Sequence, residues 1–183
     1  MSNVIPFSVP RANSQSGRIE AMIKCFATQR RFGDDVFWLK ENAELLNILY
    51  SSGLTVDPAD LAPYRDFYAS IEKRMSFFPQ YYGFLLSITQ DLEALGLARG
   101  KAVPLTNWVD AQSLASAELS DLQRAEAERL LQRGGIQVSS GNGGLLERLH
   151  RFISHNKTFA VPKKKAAYEL THIIFYLSEY GHQ

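Results

Sequence analysis

The sequence predicts an all-α fold, a multi-helix bundle of about seven helices, and three observations carry that reading. Apolar residues recur three and four apart through most of the chain, which is the period of one helix face. No run alternates apolar and polar residues over the length of a strand. Gly and Pro punctuate the periodic segments where helices must stop.

Residues 1–17, with Pro6, Pro10 and several small polar residues, read as a flexible N-terminal arm without a core of its own. Residues 18–183 read as a single helical domain. Helical spacing begins near Arg18, where Ile19, Met22, Ile23 and Phe26 share a face and Arg30 and Arg31 suit the negative end of the dipole. Cys25 falls inside this apolar pattern and is expected as a small core residue. Gly33 then breaks the chain, and Asp34 or Asp35 can cap a second helix. That helix turns Val36, Phe37, Leu39, Ala43, Leu46, Leu49 and Tyr50 toward a core and stops at Gly53. Trp38, Glu41 and Asn42 share a different side of it, suited to a groove or to solvent.

Asp57-Pro58 is a cap followed by proline at the first helical position, so a short turn begins there. From Pro63, Tyr64, Phe67, Tyr68, Ile71, Met75 and Phe78 recur at helical spacing until Pro79 forces a break. The aromatic run around Pro79, from Phe77 to Phe84, reads as a core corner where two helices meet. Tyr81–Leu95 carries Phe84, Leu85, Ile88 and Leu92 up to Gly96, and residues 98–105 read as a loop. Thr106–Arg133 is rich in Ala, Leu, Glu, Gln and Arg and forms one long helix or two, with Ser120 able to cap the second. The Gly-rich stretch 134–144 is the clearest flexible connection. Leu145–His155 is a short amphipathic helix, and Val161-Pro162 leads into the last one.

At 183 residues, with 45% hydrophobic and 21% charged side chains, the chain is long enough to bury a core. A net charge of +1 provides no global field for nucleic acid or an anionic membrane, so neither is expected as a partner. Charge is unevenly spread, however: residues 145–165 carry six basic side chains against Glu147, and residues 107–128 carry five acids against Arg124. Two solvated faces that attract each other within the fold are the expected reading, and a basic patch that docks an acidic partner or phosphates is the alternative. One cysteine rules out a disulfide framework, and no stretch resembles a signal peptide or a membrane span, so a cytoplasmic protein is expected.

The final stretch, Lys163 to Gly181, is the most informative. Ala166, Leu170, Ile173, Ile174 and Leu177 form an aliphatic stripe, while Tyr168, His172, Phe175 and Tyr176 occupy the other side. A helix apolar around most of its girth is central in a bundle or meets a partner. Glu169–His172 and Glu147–His150 each have the Glu-x-x-His spacing of carboxylate-bridged di-iron bundles, in which residues three apart reach one metal. Glu147 points away from the apolar side set by Leu145, Leu149, Phe152 and Ile153, so the second half of such a site is missing. His172 is then expected as an interior histidine satisfied by Glu169, a tyrosine or a backbone carbonyl. No metal and no cofactor are expected. Lys163, Lys164 and Lys165 open the last helix at the positive end of its dipole, where a phosphate or carboxylate would be favoured. No phosphate loop, nucleophile elbow, zinc-finger spacing or dinucleotide fingerprint occurs.

The runs at residues 35–44, 77–82 and 167–177 resemble an uncharacterised family of bacterial all-helical proteins of unknown function. The resemblance spans most of the chain and implies no activity or site. It further implies longer members in which Thr171-His172 lies mid-chain, leaving the last helix here short of its usual neighbours. The leading expectation is a non-catalytic interaction or accessory protein that packs its C-terminal helices against a protein partner or a second copy, through Tyr168, Phe175 and Tyr176. The alternative is a metal-binding or acid/base enzyme centred on Glu169 and His172, with Glu41, Glu44 or Glu72 from facing helices. Anion binding through Lys163–Lys165 is a third reading, weakened by the balanced net charge.

Overall fold

The computed structural model describes residues 14–29, 36–137 and 144–181. The expected roles of Arg30, Arg31, Gly33, Asp34 and Asp35, and most of the N-terminal arm and Gly-rich loop, lie outside the described residues. Among the described residues there are no strands and nine α-helices: α1 Gln15–Thr28, α2 Val36–Ser51, α3 Arg65–Ala69, α4 Ile71–Phe77, α5 Tyr82–Ala94, α6 Ala102–Ala111, α7 Asp121–Arg133, α8 Leu145–Ser154 and α9 Lys164–Leu177. The all-α reading holds, while the expected seven becomes nine.

Side chains that compete with the helical ladder explain the higher count. Asp57 caps a 3-10 turn at Pro58–Tyr64 by accepting from the Ala59 N–H. The helix expected to continue from Pro63 divides at Ser70, whose φ of −95° and ψ of 4° leave the α region. There the Ser70 hydroxyl donates to the Asp66 carbonyl at 2.8 Å, the local diversion that serine offers a backbone. The stretch after Thr106 is two helices, divided at Ser113 with φ 55°, and Ser120 caps the second by accepting from the Gln123 N–H.

The loop expected at 98–105 ends early. Helix α6 begins at Ala102 because Glu93, from α5, accepts from the N–H groups of Lys101 and Ala102 at 2.7 and 2.9 Å. Pro104 is tolerated in that first turn, where its missing N–H has no intrahelical partner. Tyr68 donates to the same Glu93 oxygen at 2.6 Å. Partial burial pulls the Glu93 pKa up, but these hydrogen bonds outweigh it and hold the carboxyl below its ordinary value.

The helix buried nearly all round is α5 rather than the last one. Residues 85–92 of α5 are buried without a break, whereas on α9 the buried positions are Ala166 and Ile173. Polar residues of α5 hide this pattern in the sequence, and three of them find partners. Thr89 bonds back to the Leu85 carbonyl, Gln90 donates to the Leu130 carbonyl at 2.8 Å, and Asp91 meets Arg133 at 2.8 Å.

Helices α1 and α2 are locked by two side chains first assigned to a groove or to solvent. Trp38 Nε1 donates to the Ala27 carbonyl at 3.1 Å, and Asn42 Nδ2 donates to the carbonyls of Phe26 and Trp38 at 3.2 and 2.8 Å. They thereby satisfy the orphan carbonyls at the end of α1. Tyr64 donates to Asn42 Oδ1, and the Trp38 ring packs on Phe67 at 5.1 Å. Cys25 is exposed rather than in the core, because the buried stripe of α1 is Ile19, Ile23 and Ala27 and Cys25 lies about 200° round from Ile23. Phe77 and Phe78 are likewise exposed, at 73% and 49%, instead of filling a corner. The short α4 buries Ile71 and Met75, which leaves Phe77 on its far side, and Phe78 has already left the helix.

A second, smaller core joins Ala125 of α7, Leu145 and Leu149 of α8, and Ile173 of α9. Glu147 is exposed, as its wheel position requires. The expected attraction between the basic and acidic stretches occurs as one bidentate pair, with Arg148 Nε and Nη2 donating to Asp121 at 2.9 Å each.

Two variants test this architecture. Asn42→Ala leaves the Phe26 carbonyl and the Tyr64 hydroxyl without their buried partner and should cost about 2–4 kcal/mol, read from the urea midpoint. Gly134, read from sequence as part of a flexible connection, has an ordinary φ of −81°, but a Cβ there would stand 2.2 Å from Thr106 Oγ1. Gly134→Ala should therefore destabilise by about 1–3 kcal/mol, and Thr106→Ala in the same chain should recover part of the loss.

Candidate functional site

On α9, Tyr168, His172, Phe175 and Tyr176 stand at i, i+4, i+7 and i+8, so they share one face. With Ala166 and Ile173 turned into the bundle, this aromatic face looks onto a half-open cleft of about 490 Å³. The facing wall is a second helical stripe, Lys40, Ala43, Glu44, Asn47 and Ile48 of α2. Phe84 and Ser87 of α5, Gln123, Glu126 and Arg129 of α7, and Tyr180 complete the lining. Its volume falls within the range of ligand-sized clefts. A recess of about 110 Å³ adjoins the cleft and shares Phe84, Gln123 and Glu126 with it.

Within the cleft, His172 is held by its own helix. Its Nδ1 lies 2.8 Å from the Tyr168 carbonyl, which can only accept, so Nδ1 carries a proton. In the singly protonated ring Nε2 is then an acceptor. The Tyr168 ring covers the imidazole at 3.9 Å, and Phe175 and Tyr176 meet it edge-on at 6.2 and 5.9 Å. Glu169 does not join His172. It reaches back one turn toward Lys165 at 3.7 Å.

The buried carboxyl that shares the cleft with His172 is Glu126. Burial raises its pKa above the ordinary value, against the opposing effects of the Arg129 charge, a hydrogen bond from Tyr176 and the His172 charge. Of the acids first considered as helpers, Glu44 lines the cleft, whereas Glu72 pairs with Lys101 at 2.7 Å elsewhere. Among the described residues no three His, Cys, Asp or Glu side chains gather as a metal site. Lys163, Lys164 and Lys165 are exposed at the start of α9 and do not line the cleft. Tyr168 and Phe175 are 48% and 44% exposed along its edge, and the outer residues Ile174 and Leu177 of the aliphatic stripe are exposed as well.

Beneath the cleft runs a charge network that reading the sequence missed. Arg129 Nη1 meets Glu179 at 2.9 Å, and Arg133 Nη1 meets Asp91 at 2.8 Å without a hydrogen bond of good angle. Arg133 Nε also lies 3.9 Å from the Glu179 carboxylate. Asp91 is fully buried, and that burial raises its pKa despite the adjacent guanidiniums. Arg129 spreads over the rings of Tyr180 and Tyr176 at 5.0 and 5.8 Å. Glu179 and Tyr180 adopt left-handed φ values of 44° and 55°, a conformation that the ion pair and a parallel Phe175–Tyr180 stack at 5.3 Å hold in place. Burial pushes the Tyr180 hydroxyl up to about 12 and the Tyr176 hydroxyl higher still, so both remain donors. A signal for the network did exist: Arg129 and Arg133 continue the stripe of Leu122 and Ala125 on the α7 wheel, which points two cations inward.

The match to a family model covers residues 1–183. The chain belongs to the family described as a domain of unknown function, DUF6902. No curated protein and no solved structure matches it. The family carries no named activity, in keeping with the resemblance read from the sequence, so the site rests on its own geometry. No described helix is long and apolar enough to cross a membrane.

The raised Glu126 pKa has a consequence for stability. An acid that binds its proton more tightly in the folded chain makes folding take up protons, so its contribution declines as pH rises from 4.5 through the raised value. Glu126→Gln removes that slope while its amide still accepts from Tyr176. The variant should therefore gain on wild type in unfolding free energy as pH rises above 4.5, measured by urea denaturation.

Proposed function

We propose that the protein is a non-catalytic accessory protein of the bacterial cytoplasm whose cleft between α2 and α9 receives an apolar segment of a partner protein. The observation that supports this reading is the aromatic face of α9, which the fold leaves uncovered opposite a matching stripe on α2. Exposed Ile48 and Tyr168 edge the cleft, so a segment laid between them would bury large side chains that water now touches. Both walls are helices, which suits recognition by side chains spaced along a partner helix.

An acid/base reading is the alternative, now centred on Glu126 and His172 rather than on Glu169 and His172. Their place on one cleft supports it. Against it, His172 makes no hydrogen bond to Ser87 at the same cleft, so a nucleophile–base pair is not assembled.

Photo-crosslinking in the native cell separates these readings. A benzophenone amino acid at Ile48 or Tyr168 should give one discrete adduct with another protein, and the same probe at Asp66, an exposed position of α3, should not. An adduct of twice the chain mass would replace the partner with a second copy. Adducts at neither cleft position, or equally at Asp66, would overturn the proposal.

A further inference from the structure

We infer that the partner segment seated in this cleft carries a lysine, with its ammonium against the Glu126 carboxyl and its apolar neighbours against Phe84, Tyr168 and Phe175. This inference rests on the reading of the cleft as a docking site and adds the chemistry of the occupant.

Charge complementarity carries it. Arg129 and Arg133 of α7 serve three carboxyls, and their short contacts go to Glu179 at 2.9 Å and Asp91 at 2.8 Å. Among the described residues Glu126 has no cation within 4 Å, and its partner is the Tyr176 hydroxyl. Two arginines against three carboxyls leave the group one positive charge short whenever the His172 imidazole beside Glu126 is singly protonated, and the shortfall falls at the residue that lines both the cleft and the adjoining recess. That recess holds Glu118 and Glu126 and is lined by no basic side chain.

The cations already at the cleft do not fill this position. Arg129 is covered by Tyr176, Tyr180 and Glu179, and Lys40 stands half-exposed at the rim beside Glu44, 3.8 Å away. An anionic segment would bring a further negative charge to Glu44 and Glu126 and would have to displace Glu179 to reach Arg129. A recess of about 110 Å³ suits the compact ammonium on a slender stem better than a planar guanidinium. The aromatic walls take the stem and the neighbouring apolar side chains.

The test uses the full chain labelled with nitrogen-15 and four probes. Three are capped tripeptides with lysine, norleucine or glutamate between leucine and phenylalanine, and the fourth is 2-phenylethylammonium. The lysine peptide should shift amides of residues 40–48 and 168–180 and bind about tenfold tighter than the norleucine peptide, with the glutamate peptide weakest. Glu126→Gln should bring the lysine peptide down to the norleucine level and leave the norleucine peptide unchanged.

Equal binding of the lysine and norleucine peptides, or preference for glutamate, would overturn the lysine while leaving the cleft a docking site. If 2-phenylethylammonium matches the lysine peptide, the occupant is a small amine and the partner's lysine is rejected. Failure of every probe at millimolar concentration would count against both the lysine and the docking reading, and the crosslinking result then decides whether the docking reading survives.

Discussion

Two arginines one turn apart on α7 must be matched by carboxylates inside the bundle, and the arrangement of the other elements around the cleft follows from how this is done. Arg129 is 5% exposed and Arg133 is 14% exposed, so neither charge can rely on water. Arg133 takes the fully buried Asp91 of α5, which ties the central helix to α7 at a fixed register. Arg129 takes Glu179, just beyond α9, which brings the end of the chain back over α7. Removing one partner of such a pair strands a buried charge, whereas the intact pair contributes specificity more than net stability. Because Glu179 and Tyr180 sit in left-handed conformations, the pairing also sets where the Tyr180 ring lies, and with it one end of the cleft.

The cleft is open because its two walls are anchored in different places. On one side, α2 is held by Trp38 and Asn42 bonding into the end of α1, by Tyr64, and by its packing on α5. On the other, α9 is held by Ile173 in the small core with α7 and α8, and by the Glu179 ion pair. Each wall keeps its place through its own anchors, so the groove between them is formed before anything enters. Pre-formed grooves avoid part of the ordering entropy that binding otherwise entails. The same geometry keeps Glu126 partly desolvated beside His172 and Tyr176, which is why its proton is held tightly.

Much of the local structure was legible in the sequence. Ser120 and Asp57 cap where their side chains predict, Gly53 and Gly96 end helices at positive φ, and Glu147 points outward as its wheel position demands. Tyr168, His172, Phe175 and Tyr176 do share one face. What misled was partner identity. Glu169 and His172 lie on adjacent turns, yet Glu169 reaches Lys165, and of the partners expected for His172 it is a backbone carbonyl that holds it. Trp38 and Asn42 look suited to a groove or to solvent until the carbonyls of α1 are placed beside them. The early start of α6 has the same origin, since its cap is Glu93 of another helix.

By itself, the sequence determined the helical class, most helix ends and the division of α9 into an aliphatic and an aromatic side. These depend on periodicity, capping and steric limits that act within a few residues. The tertiary structure alone decided which helix is central, which carboxyl stands beside His172, and whether the aromatic side of α9 is covered. Each of those depends on side chains far apart in the chain, such as Asp91 and Arg133 or Arg129 and Glu179, whose meeting no local spacing encodes. A buried Gln, Asp or Arg reads as polar in sequence and becomes interior once a distant partner satisfies it.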